Sequence, residues 1–233
     1  MSAIRIFLLL VSLVLGGCAS THHNPKDPLE SFNRGMYQFN DTVDKYALKP
    51  VAQGYNTAVP RPVKLMISNF FSNLNDITVA INNLLQLKIA DAASDCGRVV
   101  INSTIGLLGI ADVATPIGLK KHNEDFGQTL GYWGVGSGPY LMLPFLGPSS
   151  IRDGVGLATD STTDVVWRID PVDVRNGTAA TRVVDTRADL LDKEKVLDTA
   201  AVDRYAFIRD AYLQRRRSLV YDGDPPREKF EDE

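Results

Sequence analysis

Cysteine and histidine are scarce in this chain of 233 residues, and their scarcity excludes several kinds of protein. The two cysteines, Cys18 and Cys96, are too few for the disulfide framework of many small secreted domains. Neither they nor the three histidines have the spacing of a metal site such as CxxC or HExxH. Cys96 falls on an apolar stripe, which predicts a buried thiol, and the isolated His122 is predicted to face solvent. No metal and no cofactor are predicted.

A surplus of positive charge is also missing. The formal net charge is −3, and this argues against a nucleic-acid-binding protein, because neutralising phosphates requires concentrated lysine and arginine. The one basic run, Arg215–Arg217, is predicted to form the last turn of a helix, where cations suit the helix macrodipole. The sequence therefore predicts no nucleic-acid partner.

Catalytic motifs are absent as well. The glycine-rich run Gly134–Gly138 follows neither the GxGxxG nor the GxSxG pattern, so a nucleotide loop and a Ser137 nucleophile are both disfavoured. Glu124, Asp125 and Asp153 could flank this run, but they lack a second convergent group. We predict that these carboxylates are helix caps or ion-pair partners and that the protein is not an enzyme.

The N-terminus carries the most specific local signal. Arg5 precedes a short apolar run, 6–15, and the letters LGGC that end at Cys18 follow it directly. The run is too short to span a bilayer, which takes about 20 residues. The small residues before the cysteine resemble the lipobox of a bacterial lipoprotein. This resemblance predicts a signal peptide over residues 1–17 and a lipidated tether, acylated at Cys18, over residues 18–26; a plain secretory signal is the alternative.

Helical periodicity dominates the rest of the chain and predicts a single all-α domain of short amphipathic helices over residues 27–221. Asp27 and Pro28 are expected to start the first helix, as cap and first helical residue. Prolines and interspersed asparagines between Val51 and Leu85 predict several short helices, because asparagine favours caps and turns.

The next predicted helix, Ile89–Ser103, has one apolar stripe, formed by Ile89, Ala92, Ala93, Cys96, Val99 and Val100. Ser149 or Ser150 can cap a following helix, and two longer helices close the domain. No stretch alternates with the two-residue period that a strand of a barrel would need. The acidic, proline-containing residues 222–233 predict a disordered tail.

The stretch Phe126–Gly147 combines six glycines and two prolines with aromatic residues and leucines. It is predicted to be irregular, since a helix-interior glycine costs about 1 kcal/mol and a proline about 3 kcal/mol relative to alanine. It is nevertheless too apolar for a solvated linker. Its backbone therefore needs cover, either from the rest of the fold or from a membrane surface.

Three separated blocks of the sequence carry a family likeness. The first is Asp27-Pro28-Leu29-Glu30 with Phe32-Asn33-Arg34, Met36-Tyr37 and Phe39-Asn40; the second is Asn102-Ser103-Thr104-Ile105-Gly106 with Gly109 and Asp112; the third runs from Glu124 through Gly138-Pro139-Tyr140 and Leu143-Pro144 to Arg152-Asp153. In this order they resemble the MlaA/VacJ outer-membrane lipoproteins. The likeness extends from Cys18 to about Tyr212 and departs in the tether, in Pro171–Thr181 and in the tail.

The resemblance implies an all-helical, ring-shaped protein on the periplasmic side of the outer membrane, in its inner leaflet. Members of the family associate with trimeric porins and pass mislocalised phospholipid from the outer leaflet to a soluble periplasmic carrier. Ala19, directly after the lipobox cysteine, also favours the outer membrane by its resemblance to sorted lipoproteins. The implied role is retrograde phospholipid transport and the maintenance of lipid asymmetry. The alternative is a scaffold lipoprotein that docks on porins without conducting lipid.

Within such a ring we expect the glycine-aromatic stretch at the channel or its gate. The candidate channel or gate residues are Phe39, Asn40, Gly131, Gly134, Gly136, Gly138 and Tyr140. The glycines would allow tight turns and close backbone approach, and Tyr132, Trp133 and Tyr140 would lie near the membrane interface. The alternative is a packed core loop that holds the ring closed.

Overall fold

The structure, a computed structural model, describes residues 25–200 and 202–227. Most of this chain is helical, which confirms the predicted fold class. The elements are α1 (Glu30–Val43), a π-helical turn (Asp44–Leu48), α2 (Lys49–Ala58), α3 (Arg61–Leu85), α4 (Ile89–Thr104), α5 (Phe126–Tyr132), β1 (Tyr140–Leu143), β2 (Gly147–Ser150), α6 (Ile151–Thr163), a 3-10 turn (Val165–Arg168), α7 (Val172–Ala200) and α8 (Arg204–Val220). The predicted signal peptide, Cys18 and the last six residues of the tail lie outside the described residues.

A short antiparallel hairpin of two strands, which the sequence analysis did not predict, interrupts the helices. Tyr140 pairs with Ser150 at one end of the hairpin and Leu143 with Gly147 at the other. Each strand has four residues, which is too short for a two-residue alternation to stand out in the sequence. Helix α5 and the hairpin take up much of the stretch predicted to be irregular, and residues 133–139 connect them.

Helix α1 begins at Glu30, and Asp27 does not cap it as predicted. The Asp27 carboxylate is instead buried and accepts a hydrogen bond from the Asn33 amide at 2.8 Å. At its other end α1 continues through the π-helical turn into α2. Pro50, which has no backbone N–H, is the second residue of α2 and lies directly after the π-helical turn.

Helix α3 is a single helix of 25 residues, so the prediction of several short helices over this part of the chain is wrong. Three of its asparagines, Asn73, Asn82 and Asn83, do not form turns but donate to side chains of neighbouring helices. Asn73 donates to the Ser103 hydroxyl at 2.9 Å, and Asn83 donates to the Asp95 carboxylate at 2.8 Å. Because their amide N–H groups have tertiary partners, the low helix propensity of asparagine does not break the helix.

Helix α4 has the predicted bounds to within one residue, but its polar face is the buried one. The side chains of Asp95, Arg98 and Asn102 are almost fully buried, whereas Ile89 and Val100 are 60% and 61% exposed. Cys96 lies on the exposed apolar face, so the prediction of a buried thiol is wrong. Periodicity separated most of the apolar side from the polar side, although Ala92 of the predicted stripe is buried, and the fold turns the apolar side outward.

The buried polar face of α4 holds the long connection between α4 and α5. Arg98 donates to the Leu119 carbonyl at 3.0 Å, and the Asn102 carboxamide oxygen accepts from the backbone N–H groups of Val113 and Ala114. His122, at the end of this connection, lies 3.0 Å from the buried Asp95 carboxylate, so the prediction of an isolated, solvent-facing histidine is wrong.

Polar side chains dominate the interior of the described chain. Tyr140, Met142 and Tyr205 form a small apolar core where the hairpin meets α1 and α8. Elsewhere the buried residues are mostly asparagine, aspartate, arginine and glutamine, and many large apolar side chains are exposed. None of the helices in the described ranges combines the length and the apolar character required to cross a membrane.

Candidate functional site

Two asparagines of α1 hold the hairpin by its backbone. The Asn33 carboxamide donates to the Tyr140 carbonyl at 3.0 Å and accepts from the Met142 N–H at 2.8 Å. Asn40, two helical turns later, donates to the Leu143 carbonyl and accepts from the Phe145 N–H, both at 2.8 Å. A carboxamide offers a donor and an acceptor side by side, which suits it to bridge two points of one strand.

The segment that precedes α1 is fastened to the same hairpin. The Tyr140 N–H donates to the Lys26 carbonyl at 3.1 Å, and the buried Asp27 carboxylate accepts hydrogen bonds from Tyr205 and Arg209 of α8. Burial raises the pKa of Tyr205, and its hydrogen bond to Asp27 raises it further. The start of the described chain, the hairpin and the last helix therefore form one connected unit.

Arg216 of α8 binds two carboxylates from different elements. Its guanidinium contacts Asp125, the N-cap of α5, and Asp153 in the first turn of α6, at 2.5 and 2.9 Å. Burial raises the pKa of both carboxyl groups, but the hydrogen bonds and charge of Arg216 outweigh it and hold both pKa values below their usual range. Tyr212 also donates to Asp153. These contacts confirm Asp125 and Asp153 as a cap and as ion-pair partners.

Beneath this arginine, α5 and α6 cross at two glycines. A Cβ added to Gly156 would lie 2.4 Å from the backbone nitrogen of Gly127, and one added to Gly127 would lie 2.6 Å from the Asp153 carboxylate. No side chain fits at either position without moving its neighbours. The glycines thus let Arg216 reach both helices at once.

A cleft of about 750 Å³ opens on one side of the Arg216 contacts. We call it the cationic cleft, and its charged lining residues are Lys26, Arg152, Asp153, Arg209, Asp210, Arg216 and Arg217. The glycine-rich loop 134–138 forms part of its wall. Arg152 spans the cleft wall, because its guanidinium contacts both the Asp153 carboxylate and the Val135 carbonyl.

A second cleft, of about 670 Å³, lies on the other side. We call it the acidic cleft, and its charged lining residues are Glu124, Asp125, Asp160, Asp164 and Arg182. Burial raises the pKa of Glu124 and of Asp160 despite the hydrogen bonds that each accepts. Asp125 lines the acidic cleft and Arg216 lines the cationic one, so their ion pair lies in the wall between the two.

The predicted channel or gate residues fall into two groups. The glycines all line the cationic cleft: Gly131, Gly134, Gly136 and Gly138. Phe39, Asn40 and Tyr140 instead belong to the hairpin and its support. The Phe39 ring packs edge-on against Phe145 at the hairpin turn, with ring centroids 5.2 Å apart. Tyr140 is fully buried against Tyr205, and its hydroxyl has no hydrogen-bond partner among the described residues.

Sequence reasoning missed the arginines of this region. Arg209 and Arg216 are seven residues apart and therefore share one face of α8, a spacing that could have indicated a common role. Arg216 was predicted only to lie in the last turn of a helix, where its charge suits the macrodipole, but in the structure it binds Asp125 at the start of α5 and Asp153 of α6. Ser137, dismissed as a nucleophile, donates its hydroxyl hydrogen to the carbonyl of Gly138.

Comparisons with known proteins agree on one family. A family model described as "MlaA lipoprotein" matches residues 25–219. A relative from Shigella flexneri and one from Escherichia coli K12, each named "Intermembrane phospholipid transport system lipoprotein MlaA", are 36% identical over 225 residues, which is 93% of this chain and 88% of the relative. A solved structure described as "Structural basis for maintenance of bacterial outer membrane lipid asymmetry" superposes with a TM-score of 0.72 at 36% identity and covers 83% of this chain and 98% of its own.

Proposed function

We propose that this chain, which belongs to the MlaA lipoprotein family, is an outer-membrane lipoprotein that transports phospholipid between the membranes of the cell envelope. In this proposal it takes mislocalised phospholipid from the outer leaflet and passes it, chemically unchanged, to a soluble periplasmic carrier. The result is the maintenance of outer-membrane lipid asymmetry. Relatives named for intermembrane phospholipid transport, and a related structure described in terms of lipid asymmetry, support a role in phospholipid transport.

The observation that carries the proposal is the inverted polarity of the fold. In water, a helix such as α4 would bury Ile89 and Val100 and expose Asp95 and Arg98, and the structure has the reverse arrangement. Exposed apolar side chains grouped on one helix face mark a surface that lipid or another protein covers. A lipid leaflet around the helices would stabilise the exposed apolar faces without burying them in the protein.

A polar interior within such a leaflet would serve the headgroup of the transported lipid. A charged group left unpaired in hydrocarbon costs several kcal/mol or more, so a headgroup needs hydrogen-bonding and charged partners along its route, whereas acyl tails do not. We propose that the helices enclose such a route and that loop 134–138 and the hairpin border it.

The remaining parts of the proposal concern placement. Acylated Cys18 would anchor the chain on the periplasmic side, and because Lys26 is bonded to the hairpin, the anchor would lie at most about 27 Å of extended chain from it. A trimeric porin would be the membrane partner, as the family resemblance implies. In the competing view the protein is a scaffold that binds a porin and conducts no lipid.

A transfer assay separates the two views. Purified chain is reconstituted into vesicles that contain a fluorescent phospholipid, and a periplasmic lipid carrier is added outside. We expect the carrier to be loaded with intact phospholipid, as identified by mass spectrometry, faster than from vesicles without the protein. Carrier loading that is equal with and without the protein would contradict transport and favour the scaffold. Release of fatty acid would show that the protein hydrolyses the lipid, which contradicts the transport of unchanged phospholipid.

A further inference from the structure

We propose that the cationic cleft is a binding site for a phosphate group, in the first instance that of a phospholipid headgroup. That the phosphate belongs to a lipid rests on the proposed function, whereas the existence of an anion site rests on the residues of the cleft. Five cations but only two carboxylates are among the charged residues that line it. The lining itself therefore carries an excess of positive charge, while Asp27, Glu30 and Asp125 contact its arginines from outside the lining.

The three central arginines are buried and held in place before any ligand arrives. The side chains of Arg152, Arg209 and Arg216 are 7%, 9% and 12% exposed. Among the described residues, the hydrogen bonds of Arg209 use Nε and Nη1 and leave the donors of Nη2 unused. Guanidinium groups with a fixed orientation recognise phosphate through paired N–H donors, and little side-chain entropy is left to lose on binding.

The glycine-rich loop adds backbone donors at the rim. Gly134 and Gly138 have φ of +88° and +67°, which turns the loop tightly at both ends. Within the described chain, the N–H groups of Gly136 and Ser137 donate to no other group and are available to an anion. Backbone N–H groups clustered in a turn are a common form of phosphate site.

The acidic cleft provides the internal contrast. It is of similar size and lies beyond the Arg216–Asp125 ion pair, yet four carboxylates and one arginine line it. Size and polarity alone would make either cleft a candidate for a headgroup. The sign of the charge assigns the phosphate to the cationic cleft.

Gly136 allows a test that leaves the fold intact. An added Cβ at Gly136 would meet no described atom within 4 Å, and the same holds for Gly177 on α7. Gly136→Asp therefore places a negative charge in the cleft without a clash. Gly136→Asn is its neutral match, and Gly177→Asp adds the same charge elsewhere.

Binding is measured by calorimetry with dihexanoyl phosphatidylglycerol below its micelle concentration, with dihexanoylglycerol, which lacks phosphate, and with inorganic phosphate. We expect the full chain to bind the phospholipid, and Gly136→Asp to weaken binding about tenfold at low salt. Gly177→Asp should stay within about twofold of the wild-type chain, and Gly136→Asn should bind several-fold more tightly than Gly136→Asp, because it adds a side chain of similar size without the charge. Binding of the phospholipid alone identifies a lipid headgroup, and equal binding of inorganic phosphate with the same sensitivity to Gly136→Asp identifies a free-phosphate site.

The inference fails if Gly136→Asp binds phospholipid as the wild type does, if Gly136→Asn loses as much affinity as Gly136→Asp, or if dihexanoylglycerol binds equally well. These failures are distinct from failure of the proposed function. If the protein transfers lipid to the carrier but its affinity for phospholipid is unchanged by Gly136→Asp, the transport function holds and the phosphate site is wrong. If the chain binds phosphate in the cationic cleft but transfers no lipid, the phosphate site holds and the transport function is wrong.

Discussion

At the scale of single residues, a few polar side chains tie together parts of the chain that are far apart in sequence. Asn33 and Asn40 bind the backbone of the hairpin, more than 100 residues away. Arg216 joins α8 to the starts of α5 and α6. Each of these groups is at least partly buried, so removing one leaves its partners without hydrogen bonds in a place that water reaches poorly.

Replacing Arg216 with glutamine tests this. The variant removes one of the two arginines that pair with the Asp153 carboxylate, whose side chain is 7% exposed, and Arg152 remains as the other; Asp125 is 38% exposed and water solvates it better. We expect the free energy of unfolding to fall by about 2 kcal/mol, measured by urea unfolding in detergent micelles at neutral pH. The neighbouring Arg215 is exposed and provides the control, since Arg215→Gln should change stability by less than about 0.5 kcal/mol. Equal effects of the two substitutions would contradict the role of Arg216.

The stability difference between the wild type and Arg216→Gln should also depend on pH. Arg216 holds the pKa values of Asp125 and Asp153 below normal, against the effect of burial. The stabilisation it provides is therefore complete above the unfolded-state pKa of about 4 and is lost as the pH falls through the lower, folded-state values. We expect the stability difference between wild type and Arg216→Gln to shrink below about pH 4. A difference that stays constant under acid conditions would show that the carboxylates are not responsible.

At the scale of elements, close approach between helices overrides local propensity. Helix α6 has two interior glycines, Gly154 and Gly156, which weaken an isolated helix. Only Gly156 touches another element, since a Cβ there would lie 2.4 Å from the backbone of α5, whereas a Cβ on Gly154 would meet its nearest described atom at 3.9 Å. Gly156 is thus required by packing, and Gly154 is not.

Alanine substitutions should separate the two glycines. We expect Gly156→Ala to destabilise the protein by about 1–3 kcal/mol, because the added methyl group forces α5 and α6 apart. Gly154→Ala should be neutral or stabilise by up to about 1 kcal/mol, because alanine favours helix. Thermal unfolding followed by circular dichroism measures both. A stable Gly156→Ala variant would mean that the two helices can separate at no cost.

At the scale of the whole molecule, the distribution of polarity decides where the protein can reside. Polar groups of the described chain satisfy one another in the interior, as Arg98 and Asp76 do at 3.0 Å, while apolar faces of α3 and α4 point outward. Such a surface would favour aggregation in water, and the lipid leaflet of the proposed function would cover it.

Cys96 reports on this environment, because it lies on the exposed apolar face of α4. In bilayer vesicles we expect it to react with a charged, membrane-impermeant thiol reagent at least about tenfold more slowly than a cysteine at position 215 in the double variant Cys96→Ser/Arg215→Cys. Mass spectrometry of the peptide that contains the thiol measures the reaction. Equally fast labelling of the two positions would place the α4 face in water and remove the main support for membrane embedding.

Local features of the sequence were sufficient for much of the description. Helical periodicity predicted the all-α class, Ser150 caps α6 as one of two predicted candidates, and the motif blocks indicated the family that the comparisons identify. These features succeed because periodicity, capping and motif order are properties of neighbouring residues along the chain.

Only the tertiary structure decided which helix faces are buried and which distant residues meet. A period of 3.6 residues shows that α4 has two faces, but it does not show which face is buried; here the apolar face turns outward, so the usual assignment reverses and Cys96 and His122 were misplaced. The Arg216–Asp125 pair joins residues 91 apart, and no local pattern encodes such a contact. Sequence alone thus determined the helical class and the family, whereas packing determined the clefts, because their charged lining residues come from separate elements.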